Sequence, residues 1–312
     1  MKKKSLNKPG MKINGNSFLL MVTVLLFIVM YAAGMVIFAD KGFAKPQMFL
    51  NLFISNAGLL VIAMGQTIVM ITGGIDISVG SVTALVCMLC AYDMEKKGMS
   101  AYMAVAIALL IGLLFGIVQG FLVSYLEIQP FIVSLAGMFF GRGMTSIIST
   151  DMISIKNKTF LAWANYKIYL PIGSYSRRGK FIPAYIYPTV IIAILIFIVI
   201  LDGLLAGCGG FLFCLNSCSG FVEQAKGLEM DAISASVIGG TLLSGGVGTP
   251  FGTVFGVLIK GTISSLITTQ GTLSSWWVRI ALSALLCFFI VLRALSCMTS
   301  VTCRCLFVFL LK

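Results

Sequence analysis

The chain has 312 residues, of which 59% are hydrophobic and only 10% charged; it carries a net charge of +12 and no histidine. A soluble domain has about 25% charged residues, so this composition excludes an ordinary soluble protein, and the lack of histidine removes the commonest general base, metal ligand and pH switch. The basic balance reads as membrane topology and contact with anionic lipid headgroups, with no nucleic acid implied.

The opening stretch MKKKSLNKPGMKINGN holds five lysines and no acid, and the apolar run Ser17–Phe38 follows it. Lysines before a first span place residues 1–16 in the cytoplasm. The run is too long for the apolar core of a cleaved signal peptide. Met48–Thr72 is the second expected span, with Asn51, Ser55, Gly58, Gly65 and Thr72 as a line of small or polar residues for helix packing.

The next stretch, GGIDISVGS at residues 73–81, breaks the apolar pattern with Gly73, Gly74, Asp76, Ser78, Gly80 and Ser81. A carboxylate near the membrane interior is costly and commonly faces a cavity or a partner. Asp76 or Ser78 can equally cap the helix that follows, and a cap at a broken helix can also face a cavity. Val79–Tyr92 is short for a crossing, and YDMEKKGMS reads as a turn outside the hydrocarbon.

Ala101–Tyr125 carries Gly112, Gly116, Gly120 and Ser124 at intervals of four, a small-residue face that predicts helix packing. Pro130 opens the next helix at a position where proline is tolerated. Residues 149–183 form the one long polar connection. Its basic residues argue for the cytoplasm, whereas the span count from the N-terminus puts it outside; the two criteria disagree.

Ala184–Leu201 and Gly203–Phe221 are both long enough to cross, joined by a tight Asp202–Gly203 turn. The segment VIGGTLLSGGVGTPFGTVFG then repeats the earlier pattern: Gly239, Gly240, Ser244 and Gly246 match Gly73, Gly74, Ser78 and Gly80. Glycine-interrupted apolar segments in the two halves of a membrane protein point to a transport pathway. The two are expected to lie near each other, and the candidate pathway residues are Gly73, Gly74, Asp76, Ser78, Ser81, Gly239, Gly240 and Ser244. Trp276 and Trp277 suit interfacial anchors, with Ser274 or Ser275 as a cap. The nine cysteines read as small buried hydrophobes, and no metal site or catalytic constellation is present in the pattern. The expected fold is all-α: a polytopic transmembrane helical bundle with glycine-broken helices over residues 17–295, and an atypical tail at 296–312.

At these residues the chain resembles a known family. LLVIAMGQTIVMITGGIDISVGSVTAL, IQPFIVSLAGMFFGRGMTSIIS and LEMDAISASVIGGTLLSGGVGTPFGTVFGVLIKG are similar to the membrane permeases of ribose-type ABC sugar importers. STDMISI, GGTLLSGGVGT and GTLSSWW resemble the galactofuranose subgroup. The resemblance implies a monosaccharide permease working by alternating access in a bacterial inner membrane. It implies a homo- or heterodimer with a second permease chain, a periplasmic sugar-binding protein and a cytoplasmic ATP-binding subunit. The chain has no nucleotide-binding loop of its own, so ATP is used by the partner and no cofactor is bound here.

Two departures stand out. The family carries a cytoplasmic segment of a few dozen residues, which docks on the ATPase, where this chain runs from Leu201 into Asp202. The tail after Arg293 matches nothing in the family. A permease without its coupling segment is expected to support little ATP-driven uptake. A degenerate protein that inserts without transporting remains a competing reading. An ion-coupled transporter ranks below both, because only Asp76 is a candidate coupling group.

Overall fold

The structure is a computed structural model that describes residues 15–175, 181–198, 202–271 and 276–298. It is a polytopic helical bundle with, among the described residues, two small antiparallel strand pairings on one face. Among the described residues, five helices are long and apolar enough to span a bilayer: α1 (Gly15–Ile37), α2 (Pro46–Ile71), α4 (Ala101–Ser124), α5 (Pro130–Ile148) and α10 (Pro250–Gln270). Their starts follow local chemistry. Prolines open α2, α5 and α10, where the missing N–H is no loss, and Thr249 Oγ1 accepts from Gly252 N–H at 3.2 Å to cap α10.

Helix α2 is the central element and packs on α7 (Pro188–Ile198), α8 (Asp202–Ser217), α9 (Leu228–Ile238) and α10. With little hydrophobic drive between helices in lipid, close approach and polar pairs hold them together. Thr67 Oγ1 on α2 lies 2.6 Å from Thr253 Oγ1 on α10 and 3.0 Å from Ser236 Oγ on α9, and Ser236 Oγ also donates to Ala63 O at 3.0 Å. Gly256 lets α10 lie directly against the Ala235 carbonyl of α9; any Cβ there would overlap that oxygen.

Helix α3 runs from Val79 to Lys96, which corrects the expectation of a short segment followed by a turn. Tyr92–Lys96 stay helical because buried Asp93 is matched one turn on by Lys97 at 2.8 Å, so the carboxylate does not force the chain out. Only the residues around Gly98 turn, and Ser100 caps α4.

Hydrogen bonds sort the chain ends onto two faces. Tyr185 N–H donates to Gln47 Oε1 at 2.8 Å, and the N–H groups of Lys156 and Asn157 donate to Glu95 Oε1 at 2.7 and 3.0 Å. Lys41 Nζ donates to Thr269 O at 2.7 Å. The α1–α2 turn, the end of α3, the connection 149–187 and the end of α10 therefore share one face. That connection is folded: β1 (Ile153–Ser154) pairs with β4 (Ser219–Gly220), α6 covers Lys158–Asn165, and β2 (Ile168–Tyr175) pairs with β3 (Phe181–Ile186). On the opposite face, Gly246 N–H donates to Ile71 O at 2.8 Å. The start of α1 lies at this opposite end, so the span count, and not the local charge, gives the sidedness of the 149–183 connection relative to the N-terminus.

The expectation of two full crossings around residue 201 is overturned for the described residues. Strand β3 takes up the chain to Ile186, leaving α7 with 11 described residues, and α8 has 16 because Cys218 turns away with a positive φ of 48°. Asp202 and Gly203 form the first turn of α8, not a connecting turn. Leu201, Ser274, Ser275 and the tail from residue 299 lie outside the described residues. Helix α11 (Trp276–Met298) closes the bundle, with Trp276 and Trp277 exposed at its start. Cys87, Cys90 and Cys214 are buried as expected, Cys208 and Cys218 are half-buried, and Cys287 is exposed.

Candidate functional site

A cavity of about 720 Å³ opens between α2, the segment 72–78, and the facing parts of α3, α4 and α5. The segment exists because Gly73 adopts a φ of +86°, a left-handed conformation that ends α2. The chain then runs without helical bonding to Ser78, and its backbone groups find side-chain partners. Ser134 Oγ on α5 donates to Ile75 O at 3.1 Å.

Asp76 is the centre of the polar end. Its Oδ1 accepts from both Ser78 N–H and Ser78 Oγ, each at 2.7 Å. Gln119 Nε2 on α4 donates to Ser78 Oγ at 2.9 Å. The chain Gln119–Ser78–Asp76 thus ties α4 to the break before α3. Both readings of Asp76 coexist in this geometry: it fixes the backbone turn into α3, and it lines the cavity. Gly137 on α5 makes room for the Gln119 amide, which would collide with a Cβ there.

Of the residues expected on a pathway, Gly73, Gly74, Asp76 and Ser78 line this cavity. Ser81 does not. It is fully buried, donates to Ser78 O at 2.7 Å, and lies under Gly141, where a Cβ would come within 2.8 Å of its Oγ. Gly239, Gly240 and Ser244 are also absent from the cavity lining. Their segment does approach the first one: a Cβ on Gly245 would lie 2.8 Å from Gly73 Cα, so the two glycine-rich segments meet backbone to backbone. Gly239 faces Gly252 of α10, and Ser244 is exposed.

The small-residue face of α4 was expected to pack against a helix. Gly112 does so, against Gly207 of α8, while Gly112, Gly116, Gly120 and Ser124 all line the cavity. Gly120 has open space where a Cβ would stand. Two residues escaped the sequence reading. Gln119 lies on the same α4 face as the glycines. Gln66 lies on α2, 1% exposed, and both its amide oxygen and nitrogen lack a hydrogen-bond partner. A polar residue inside the apolar run VIAMGQTIVMIT was the available signal for Gln66. The cavity lining contains no lysine or arginine, and among the described residues no cluster of His, Cys, Asp and Glu suits a metal. Arg142 is engaged elsewhere, donating to the carbonyls of Val222 and Gln224 at 3.0 Å each.

The chain is 36% identical to the inner membrane ABC transporter permease protein YjfF of Escherichia coli, over 88% of this chain and 91% of that protein. It is 27% identical to the fructose import permease protein FruG of Bifidobacterium longum, over 92% and 93%. It is 34% identical to the ribose import permease protein RbsC of Bacillus subtilis, over 75% and 81%. No solved structure matches it. The alignment with YjfF runs over 303 positions yet takes up only 88% of 312 residues, so more than two dozen positions have no counterpart in this chain. The same excess recurs with FruG and RbsC. The family model described as branched-chain amino acid transport system / permease component matches residues 48–202 and again 187–291, in two pieces that overlap across α7 at residues 187–202. This chain belongs to that permease family and is a multi-pass inner-membrane transport subunit, not an enzyme.

Proposed function

We propose that the chain is the membrane subunit of a monosaccharide importer that has lost its mechanical link to ATP hydrolysis. Relatives named as ribose and fructose import permeases support the solute class. The cavity supports a neutral solute: it offers hydroxyls, amides, backbone groups and one carboxylate, with no cationic side chain to hold a phosphate or carboxylate. The N-terminal lysines support a reading in which the Asp76 face is cytoplasmic and the folded 149–187 connection lies outside. There the connection would meet a sugar-binding protein. ATP would be bound and hydrolysed by a separate cytoplasmic subunit, and a second permease chain would complete the importer.

The observation that carries the loss of coupling is the length of the α7–α8 hairpin. Its described helices have 11 and 16 residues, about 16 and 24 Å, against about 36 Å for α4. Helix α7 starts at the folded 149–187 connection and α8 ends beside it, and the described part of each is shorter than a bilayer crossing. More than two dozen aligned positions of each relative have no counterpart in this chain, and the family match is split into two pieces that overlap at residues 187–202. The test is retention of a partner. The solubilised chain should fail to hold a co-expressed ATPase subunit through affinity purification, and a chain carrying the YjfF segment before Asp202 should hold it. Equal retention by both would show that docking uses another surface.

A further inference from the structure

Strands β2 and β3 form a ribbon with two unlike faces. In the register of the pair, Tyr169 stands opposite Tyr185, Gly173 opposite Pro183 and Tyr175 opposite Phe181, so these residues share one face. The Tyr169 and Tyr185 rings meet edge to face at 6.4 Å, and those of Tyr175 and Phe181 at 5.5 Å. Lys167 Nζ lies 4.5 Å over the Tyr185 ring. On the other face, Ala184 is buried and Ile186 packs against the bundle. The aromatic face is bare: Tyr169 is 63% exposed, Tyr175 75% and Phe181 41%. A two-stranded ribbon is marginal by itself in water, and an exposed apolar face of this kind marks a contact.

We propose that this ribbon is seated on lipid: its aromatic face rests in the headgroup layer beside α2 and α7, and Lys167 meets the phosphates of an anionic lipid surface. Its depth supports the seat. Gln47, in the first turn of α2, accepts from Tyr185 N–H at 2.8 Å and donates to Tyr185 O at 3.2 Å, so β3 lies along the flank of that helix end. Only Tyr187 separates β3 from Pro188, where α7 begins, and α7 turns Ile191 and Ile192 outward. The aromatic side chains agree. Of nine tyrosines and three tryptophans, Tyr125 alone lies at the Asp76 end of the bundle, while Tyr102, Trp276 and Trp277 stand exposed at the ribbon's end. Tyrosine and tryptophan gather where an apolar ring meets lipid and its polar atom stays wet. The charge agrees as well. Lys156, Lys158 and Lys167 are exposed on this connection against one exposed acid, Asp151. Lysines on the face away from the N-terminal ones run against the topology rule, and contact with anionic headgroups gives them a use. A soluble partner protein fits less well, because the ribbon is tied to the side of a helix end and runs straight into a membrane helix.

The test uses the full chain in vesicles of equal parts phosphatidylcholine and phosphatidylglycerol. With Trp163→Phe, Trp276→Phe and Trp277→Phe in place, Tyr175→Trp supplies a single fluorescent reporter on the aromatic face. Lipids brominated near the headgroup end of the acyl chain should quench it, and iodide in the water should not. Quenching by iodide without quenching by the brominated lipid would overturn the proposal. So would protection that appears only when a sugar-binding protein is added, which would make the face a protein docking surface. Lys167→Gln should shift the balance about fivefold toward iodide, the effect of one lysine near an anionic surface, and should do nothing in phosphatidylcholine alone. An equal shift in both lipids would contradict the headgroup contact. The unaltered chain gives a second readout that no tryptophan variant can spoil. Its amides in Ile168–Tyr175 and Phe181–Ile186 should exchange hydrogen more slowly in nanodiscs containing phosphatidylglycerol than in phosphatidylcholine nanodiscs, and high salt should abolish the difference. Identical exchange in the two lipids at low salt would overturn the contact. Both readouts are independent of the solute, of uptake and of the ATPase subunit.

Discussion

At the scale of single residues, the Gln119–Ser78–Asp76 chain makes separable demands on chemistry. Ser78→Ala removes the hydroxyl between Gln119 and Asp76 and leaves a half-buried amide without a partner. It should destabilise the solubilised protein by about 1–3 kcal/mol, read as a fall in thermal midpoint. Asp76→Asn keeps an oxygen that accepts from Ser78 N–H, so its stability should stay within about 0.5 kcal/mol of the parent. Asp76→Ala loses that acceptor and should cost about 1 kcal/mol. A large loss for Asp76→Asn would mean that the charge, and not the acceptor, holds the turn. Asp76 and Ser78 were legible because charge and hydroxyl stand out in an oily run. Ser81 was misplaced because a one-dimensional pattern does not reveal that Gly141 presses α5 onto it. Gln119 was missed because its partner lies 41 residues away on another helix.

At the scale of elements, glycine spacing decides where helices touch, and the sequence shows the spacing without showing the neighbour. Gly256 and Gly116 sit in similar small-residue runs. Gly256 lies on the Ala235 carbonyl, while Gly116 faces the cavity. Gly256→Val should therefore force α9 and α10 apart and cost about 1–3 kcal/mol, with a lowered yield of folded protein. Gly116→Ala should be neutral in this chain. Similar losses for both would show that the α4 face is packed after all. The same logic explains the misread hairpin. Ala184–Leu201 is apolar throughout, but its first residues pair as strand β3 with β2, and no hydropathy count separates a strand at the edge of the bundle from the start of a span. The short α3 was misjudged for the opposite reason: its acidic end looked like a turn, although the Asp93–Lys97 pair keeps it helical.

At the scale of the whole molecule, all-α class, bundle topology and permease kinship were legible in composition, periodicity and motif. Sidedness of the 149–183 connection was not, because local charge and span count opposed each other. The hydrogen bonds from that connection to Gln47 and Glu95 put it on the face opposite the Asp76 segment. Cysteines at Asp151 and Tyr125 should accordingly be labelled from opposite sides of the membrane; labelling of both from one side would contradict the helix order. The central claim is that this chain keeps the scaffold of a sugar permease and lacks the part that couples it to ATP. Its most direct test is uptake of radiolabelled ribose, fructose and galactofuranose into membrane vesicles supplied with ATP, an ATPase subunit and a sugar-binding protein. The chain as it stands should show uptake no greater than vesicles without ATP, and the chain carrying the YjfF segment before Asp202 should show ATP-dependent uptake of at least one free sugar. Robust ATP-dependent uptake by the unaltered chain would contradict the account.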